Sequence, residues 1–368
     1  MVQREGLALH HRHEEKQMTT AVPQRQFRQQ RCARSGLFDQ RRRWGIPALC
    51  AALLIAVTLS IAYGANPIPV DDVWTATVRP GTSEASSIVW SLRMPRTFVG
   101  IAAGTAFGVA GALIQALTRN PLADPGILGV NAGSAFAITV GVGVFGITSI
   151  GGLVWFSFLG AIVSTVLVYT IGSAGRGSAS PVTLVLAGVA LAAVFTALST
   201  FMVLIDRDTF RAVRSWGLGS IARTTVAETL VVVPFLALGL LLVMAIANSL
   251  NAVALGDDQA VSLGAHVQRT RVVGLVAVTL LAGGATALTG GIAFVGLAVP
   301  HMVRWFTGPD QRWILFYTAI ASPSLVLAAD VLGRVIARPG EIEAGVLTAL
   351  IGAPVLITLV RSTKAAGL

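Results

Sequence analysis

Ten stretches of this chain are apolar from end to end, at about 45–64, 97–117, 127–148, 151–172, 182–205, 229–248, 272–289, 290–306, 313–333 and 345–361. Nothing else in the sequence restricts the fold as strongly. About 20 consecutive apolar residues cross a bilayer as a helix, so the segments predict an all-α integral membrane protein of about ten transmembrane helices. Composition agrees: 54% of residues are hydrophobic and 12% charged, with mean hydropathy +0.75, where a soluble domain carries about 25% charged residues.

Residues 1–44 hold ten Lys or Arg and end in Arg41-Arg42-Arg43-Trp44 against the first apolar run. Such a tail is expected to be disordered and cytoplasmic, touching anionic lipid, serving as an unstructured leader, or reflecting an upstream start codon with Met18 as the true start. It is not read as a secretory signal, because the run after it is long enough to span. An even number of spans returns the short tail at 362–368 to the same side. The remaining loops divide their cations almost equally, so the orientation in a cytoplasmic membrane rests on the first tail. Cys32 and Cys50 form no CxxC pattern and are read as incidental.

The second span is unusual. Glycines at 100, 104, 108 and 111 recur every three or four residues, so one helix face carries no side chains and a neighbouring backbone can approach closely. A doubled arginine, Arg93 and Arg96, precedes this helix, and an Asn-Pro/Asp-Pro-Gly break at 120–126 follows it. A faint echo lies in the other half, where TRVVG at 270–274 matches RTFVG at 96–100 and Thr289-Gly290-Gly291 supplies a second break. With five spans per half the second copy is inverted. Inverted repeats with interrupted helices are how transporters build pathways.

Two loops are long enough to hold structure. In 65–92, Val70-Asp71-Asp72-Val73-Trp74 reads as an interfacial helix with Trp74 at headgroup level; 249–271 reads as two short helices, with Asp257 and Asp258 in the first turn of the second and Gly264 at its end.

No Asp, Glu, Lys or Arg lies near the middle of any span, whereas ion-coupled carriers usually keep one there. No G-x-x-x-x-G-K-[ST] motif occurs, so the chain is expected not to hydrolyse nucleotide itself. Energy must come through a partner, or the protein is a passive pore.

Six motifs now share an order: Arg93-Met94-Pro95-Arg96, TRNPLADPGILGV at 118–130, LGDDQAVSLG at 255–264, FVGLAVPHMVR at 294–304, GPDQ at 308–311 and GVLTALIGAP at 345–354. Together they resemble the FecCD/vitamin B12-type permeases, the membrane subunits of ATP-driven importers for iron–siderophores, haem and cobalamin. The resemblance covers about 45–361. It implies two five-helix inverted pseudo-repeats and pairing with a second permease subunit, identical or related. It also implies two ATP-binding subunits below and an extracytoplasmic substrate-binding protein above. ATP and Mg would be bound by the ATPase subunits, and no cofactor or metal is expected in this chain.

The resemblance also assigns roles. Arg93, Arg96 and Arg334 would receive carboxylates of the binding protein; the other reading is arginines snorkelling to headgroups. Gly256, Asp257, Asp258, Ser262, Leu263 and Gly264 would form the coupling element that docks into the ATPase, the alternative being an amphipathic surface loop. Asn120 and Leu122 would close the cytoplasmic end of the pathway, unless the break is an ordinary tight turn. A second gate near Ser180 to Thr183 receives no role, because Pro181 and Val182 differ from the hydroxyl residues expected there. His301 reads as a capped polar residue rather than a ligand. Thr196, Ser199 and Thr200 either line the pathway or bond back to their own helix. Where the family usually has Glu-Leu-Pro-Val-Gly, this chain has Glu341-Ile342-Glu343-Ala344-Gly345, which leaves open whether Arg334 is free for a partner or is occupied by Glu343. The expected function is import of a ferric siderophore by ATP-driven alternating access. Haem or cobalamin import, an ion-coupled carrier and a passive channel are the alternatives.

Overall fold

The structure, a computed structural model, describes residues 44–173 and 181–365. The readings made on the first tail, Cys32, Ser180 and residues 366–368 lie outside the described residues. Every regular element described is helical. In chain order these are α1 (Trp44–Ala62), α2 (Val70–Val78), α3 (Glu84–Thr118), α4 (Val130–Gly143), α5 (Ile150–Ser173), α6 (Pro181–Ile205) and α7 (Arg207–Gly217). The second half holds α8 (Val226–Val253), α9 (Asp257–Ser262), α10 (Val267–Thr289), α11 (Val295–Thr307), α12 (Gln311–Ile336) and α13 (Ala344–Ala365). Ten of them fall on the ten expected spans. Seven are long and apolar enough to cross a membrane, while α4 and α11 are short, at 14 and 13 residues.

α3 and α10 are the centre of the bundle, with 78% of each apolar window buried, against 11% for α1 and 22% for α6. The glycine face of α3 explains how it sits there. A Cβ at Gly104 would lie 2.7 Å from the Pro323 Cα of α12, and one at Gly111 would lie 2.0 Å from the Gly296 carbonyl oxygen at the start of α11. In lipid, helices gain little from apolar burial against one another, so this van der Waals contact is a main source of cohesion.

Prolines inside helices free carbonyls one turn earlier, and α3 supplies donors to two of them. Pro323 leaves the Ala319 carbonyl without its helical donor, and Thr105 Oγ1 donates to it at 3.1 Å. Pro300 does the same to Gly296, whose carbonyl accepts from Gln115 Nε2 at 3.1 Å. Without such partners a buried carbonyl costs about 1–3 kcal/mol.

The echo between halves has a backbone counterpart. α3 and α10 are each followed by a break and then a short helix, and each short helix is entered through a left-handed residue, Gly129 (φ 70°) before α4 and Phe294 (φ 67°) before α11. The eighth span accordingly begins at Val295 rather than at 290. The two breaks meet inside the bundle, where a Cβ at Gly296 would touch Phe107 O, Gly111 Cα and Pro125 Cδ.

The loop at 249–271 differs from expectation. Its first short helix is the continuation of α8, started by a Thr225/Glu228 capping box and unbroken to Val253; only α9 is separate. The helix expected in 65–92 is present as α2, with Trp74 71% exposed.

Candidate functional site: an arginine cluster and a coupling turn at opposite ends

Candidate residues gather at the two ends of α3. At its start, Arg93, Arg96 and Arg334 do come together, but all three are buried and internally paired. Arg96 holds Asp330 with Nε 3.0 Å from both carboxylate oxygens and Nη2 2.6 Å from Oδ1, while its Nη1 donates to Glu341 Oε2 at 2.7 Å. Arg334 lies one turn after Asp330, pairs with it at 2.9 Å, and donates to the Ser60 and Tyr63 carbonyls at 3.1 and 2.8 Å. Arg93 donates to the carbonyls of Ile61, Ala62 and Asn66. Two of the three guanidinia therefore cap the C-terminal carbonyls of α1, where cations suit the helix dipole.

Asp330, fully buried, stabilises this cation cluster; an arginine buried without such a partner would be costly. Its signal was legible, as a carboxylate four residues before Arg334 in an apolar helix. Glu343 does not occupy Arg334: it pairs with Arg223 at 3.3 Å, and the carboxylate on Arg334 is Asp330. Above the cluster lies a cavity of about 550 Å³ bordered by Arg93, Arg96, Arg334, Glu341 and Asn66. At the same end Asp206 caps α7, accepting the Thr209 amide at 2.8 Å and its hydroxyl at 2.5 Å. These hydrogen bonds hold its carboxyl below the usual range.

At the far end of α3 the helix stops at Arg119, which has a left-handed backbone (φ 52°). Its amide and that of Asn120 donate to the carbonyls of Ala116 and Gln115, a Schellman-type ending that usually employs glycine. An L-residue there costs about 1 kcal/mol. Asn120 Oδ1 then accepts the Leu122 amide at 2.9 Å, and Asp124 Oδ1 the Gly126 amide at 2.8 Å, forming two successive side-chain-stabilised turns. Leu122 is exposed.

α9 stands beside this turn. Gly256 (φ 122°) precedes it and Gly264 (φ 79°) ends it. Asp257 and Asp258 occupy its first turn, and Ala260 is its buried anchor. Leu255, Val261 and Leu263 are exposed, at 59%, 63% and 66%, alongside exposed Asp258 and Ser262. Asp257 is shared by two guanidinia, Arg119 on Oδ1 and Arg271 on Oδ2, the second at 2.7 Å. Neither arginine stood out in the sequence, because their common partner lies 138 and 14 residues away.

Elsewhere, Ser199 and Thr200 donate to carbonyls one turn earlier, Phe195 and Thr196. His301 packs edge-on against Trp305 and its Nδ1 is buried without a hydrogen-bond partner, so it is not capped as expected. Among the described residues no His/Cys/Asp/Glu group could hold a metal ion.

An all-helical bundle whose central helices α3 and α10 each run into a break and a short helix, with a short exposed helix at one end, is the architecture of a membrane permease. Residues 52–362 match the FecCD transport family, and the chain belongs to it. It is 46% identical over 334 residues to the ferric enterobactin transport system permease protein FepD of Escherichia coli (strain K12), covering 90% of this chain and 99% of that relative. It is 37% identical to the probable siderophore transport system permease protein YfiZ of Bacillus subtilis (strain 168), over 84% of this chain and 93% of that one. A solved structure described as an inward-facing conformation of a metal-chelate type ABC transporter aligns with a TM-score of 0.75 and 26% identity, covering 86% of this chain and 98% of that one.

Proposed function

We propose that this chain is the permease subunit of an ABC importer that moves a ferric siderophore into the cytoplasm. The observation that carries the reading is the 46% identity to a ferric enterobactin permease across 99% of that relative's length. The chain pairs with a second permease subunit, and the basic tail keeps both termini in the cytoplasm.

In this reading the binding protein docks over the 550 Å³ cavity at the arginine end. Asp330 is too deeply buried to leave. Glu341, its side chain 36% exposed, is the carboxylate that yields its place on Arg96 to an acidic residue of the partner. Charge exchange of this kind orients an encounter and raises its rate more than it adds affinity. At the other end, Gly256, Asp257, Asp258, Ser262, Leu263 and Gly264 present α9 to an ATP-binding subunit. Asn120 and Leu122 close the pathway. ATP and Mg belong to the ATPase subunits; this chain contributes a rigid contact and a moving turn.

The test is reconstitution of the full complex in liposomes, with the binding protein supplied at the outer face and labelled ferric siderophore, haem or cobalamin as cargo. Uptake of the ferric siderophore that needs both ATP and the ATPase subunits is the expected result. Accumulation by the permease alone overturns it, and uptake confined to haem or cobalamin reassigns the cargo.

A further inference from the structure

We infer that the Arg119–Asp257 ion pair is the link through which movement of α9 reaches the Asn120–Leu122 turn, with Arg271 as its fixed anchor. This rests on the importer reading and deepens it by naming a transmission element between its coupling helix and its gate. Three observations carry it.

First, Asp257 is the opening residue of α9 and its two oxygens are divided between different elements. Oδ1 goes to Arg119 at the end of α3, and Oδ2 to Arg271 in the first turns of α10. Arg271 is almost fully buried, with 8% of its side chain exposed, so it moves with α10; Arg119 is 35% exposed and Asp257 41%, so both can move. Second, Arg119 is the residue immediately before Asn120, and its backbone is in the left-handed region, which an L-residue seldom occupies. Such a conformer persists only when its surroundings enforce it, so the contacts of Arg119 help to set the backbone from which the Asn120 turn leaves. Third, Asn120 Oδ1 shapes the turn directly by accepting the Leu122 amide. A shift of Asp257 therefore acts on the guanidinium of Arg119, the Arg119 backbone, and the Asn120 turn in sequence.

Stability is a poor explanation for the arrangement, since exposed ion pairs contribute little. Its strength would rise under an ATPase subunit seated on α9, because excluding water from this face strengthens the attraction between the charges. The link is then tightest when nucleotide-driven movement has to be transmitted. Arg119 is a positioning residue in this scheme; it touches no cargo.

The experiment uses the reconstituted complex, with ATP hydrolysis and chelate uptake measured in the same vesicles for wild type, Arg119→Ala, Arg119→Gly, Arg119→Lys and Asp257→Asn. Arg119→Ala and Arg119→Gly are expected to keep hydrolysis near the wild-type rate while uptake falls about tenfold, an ordinary size for coupling between two sites. Arg119→Lys, which keeps a cation, is expected to restore much of the uptake. The double variant Arg119→Ala/Asp257→Asn is expected to transport no worse than the weaker single variant, as for residues acting as one unit. Arg119→Gly separates the ion pair from the backbone, since glycine adopts the left-handed conformation freely. If Arg119→Gly transports like wild type, the backbone alone matters and the inference fails. It fails equally if hydrolysis and uptake fall in parallel, or if neither changes. A wild-type complex that hydrolyses ATP but imports no chelate defeats the importer reading itself, and is recognised before any variant is compared.

Discussion

Arg96 and Asp330, 234 residues apart in sequence, face each other across α3 and α12 through three charge-assisted hydrogen bonds. Asp330 is shared with Arg334, so its removal leaves two buried cations without their common counterion. Asp330→Asn should cost about 3–5 kcal/mol, the usual penalty for breaking a buried pair from one side. Glu341→Gln, at a half-exposed position, should cost about 1 kcal/mol or less. Denaturation midpoints of the two variants in the same detergent check the order; equal losses would contradict it.

Gly111 and Gly296 bring two backbones into contact. Gly111→Ala places a methyl within 2.0 Å of a carbonyl oxygen that cannot step aside, and overpacking of this kind costs about 1–3 kcal/mol. Gly151, with nothing within 4 Å of its Cβ position, is the control. Gly151→Ala should change stability by no more than about 0.5 kcal/mol. Thermal unfolding of both variants reads the difference.

Asp206 gives the arginine end a pH dependence. Its folded-state pKa is depressed by the Thr209 hydroxyl and amide, so its contribution to α7 is complete above the unfolded value, about 3.9 for an aspartate, and is lost as pH falls through the lower folded value. Hydrogen exchange along Arg207–Gly217 should keep its protection down to about pH 4 and lose it below. Asp206→Ala should lower protection at neutral pH and abolish the acid-dependent step. A step unchanged in Asp206→Ala would assign it to another group.

The apolar side of α9 gives a binding prediction. Val261 and Leu263 are exposed and make no structural core. Val261→Asp and Leu263→Asp should leave the melting temperature of the isolated permease within about 2 °C. Each should weaken co-purification of the ATPase subunits about tenfold or more, as at a desolvated contact. Normal complex formation by both variants would remove α9 from the interface.

The span pattern and the close-packing face of α3 were legible because they depend on local composition and on a three- or four-residue period. The α9 helix was legible for the same reason, its acidic first turn and terminal glycine being local signals. What could not be read was partnership at long range. The three arginines were identified and the Asp330–Arg334 spacing is local, yet nothing local says that Asp330 also reaches Arg96 or that Glu343 turns to Arg223. The start of α11 was placed five residues early, because 290–294 is as apolar as the helix after it. Its backbone is set by Gly290 and by the left-handed Phe294, a residue with no intrinsic preference for that conformation. Gln115 and Thr105 carry no mark in the sequence, since the carbonyls they satisfy are freed by prolines 185 and 218 positions away.

α1 is mostly bare along its length but held at both tips. Gly45 lies against Tyr317, and the carbonyls closing the helix are taken by Arg93 and Arg334, with Arg338 on Gly64 just beyond. Its 19 residues span about 28 Å at about 1.5 Å each, close to the roughly 30 Å hydrocarbon thickness of a bilayer. A helix pinned at two fixed points cannot tilt to absorb a mismatch as a free one does. Thinning or thickening of the surrounding lipid would instead load the guanidinium–carbonyl clasps at the end of α1.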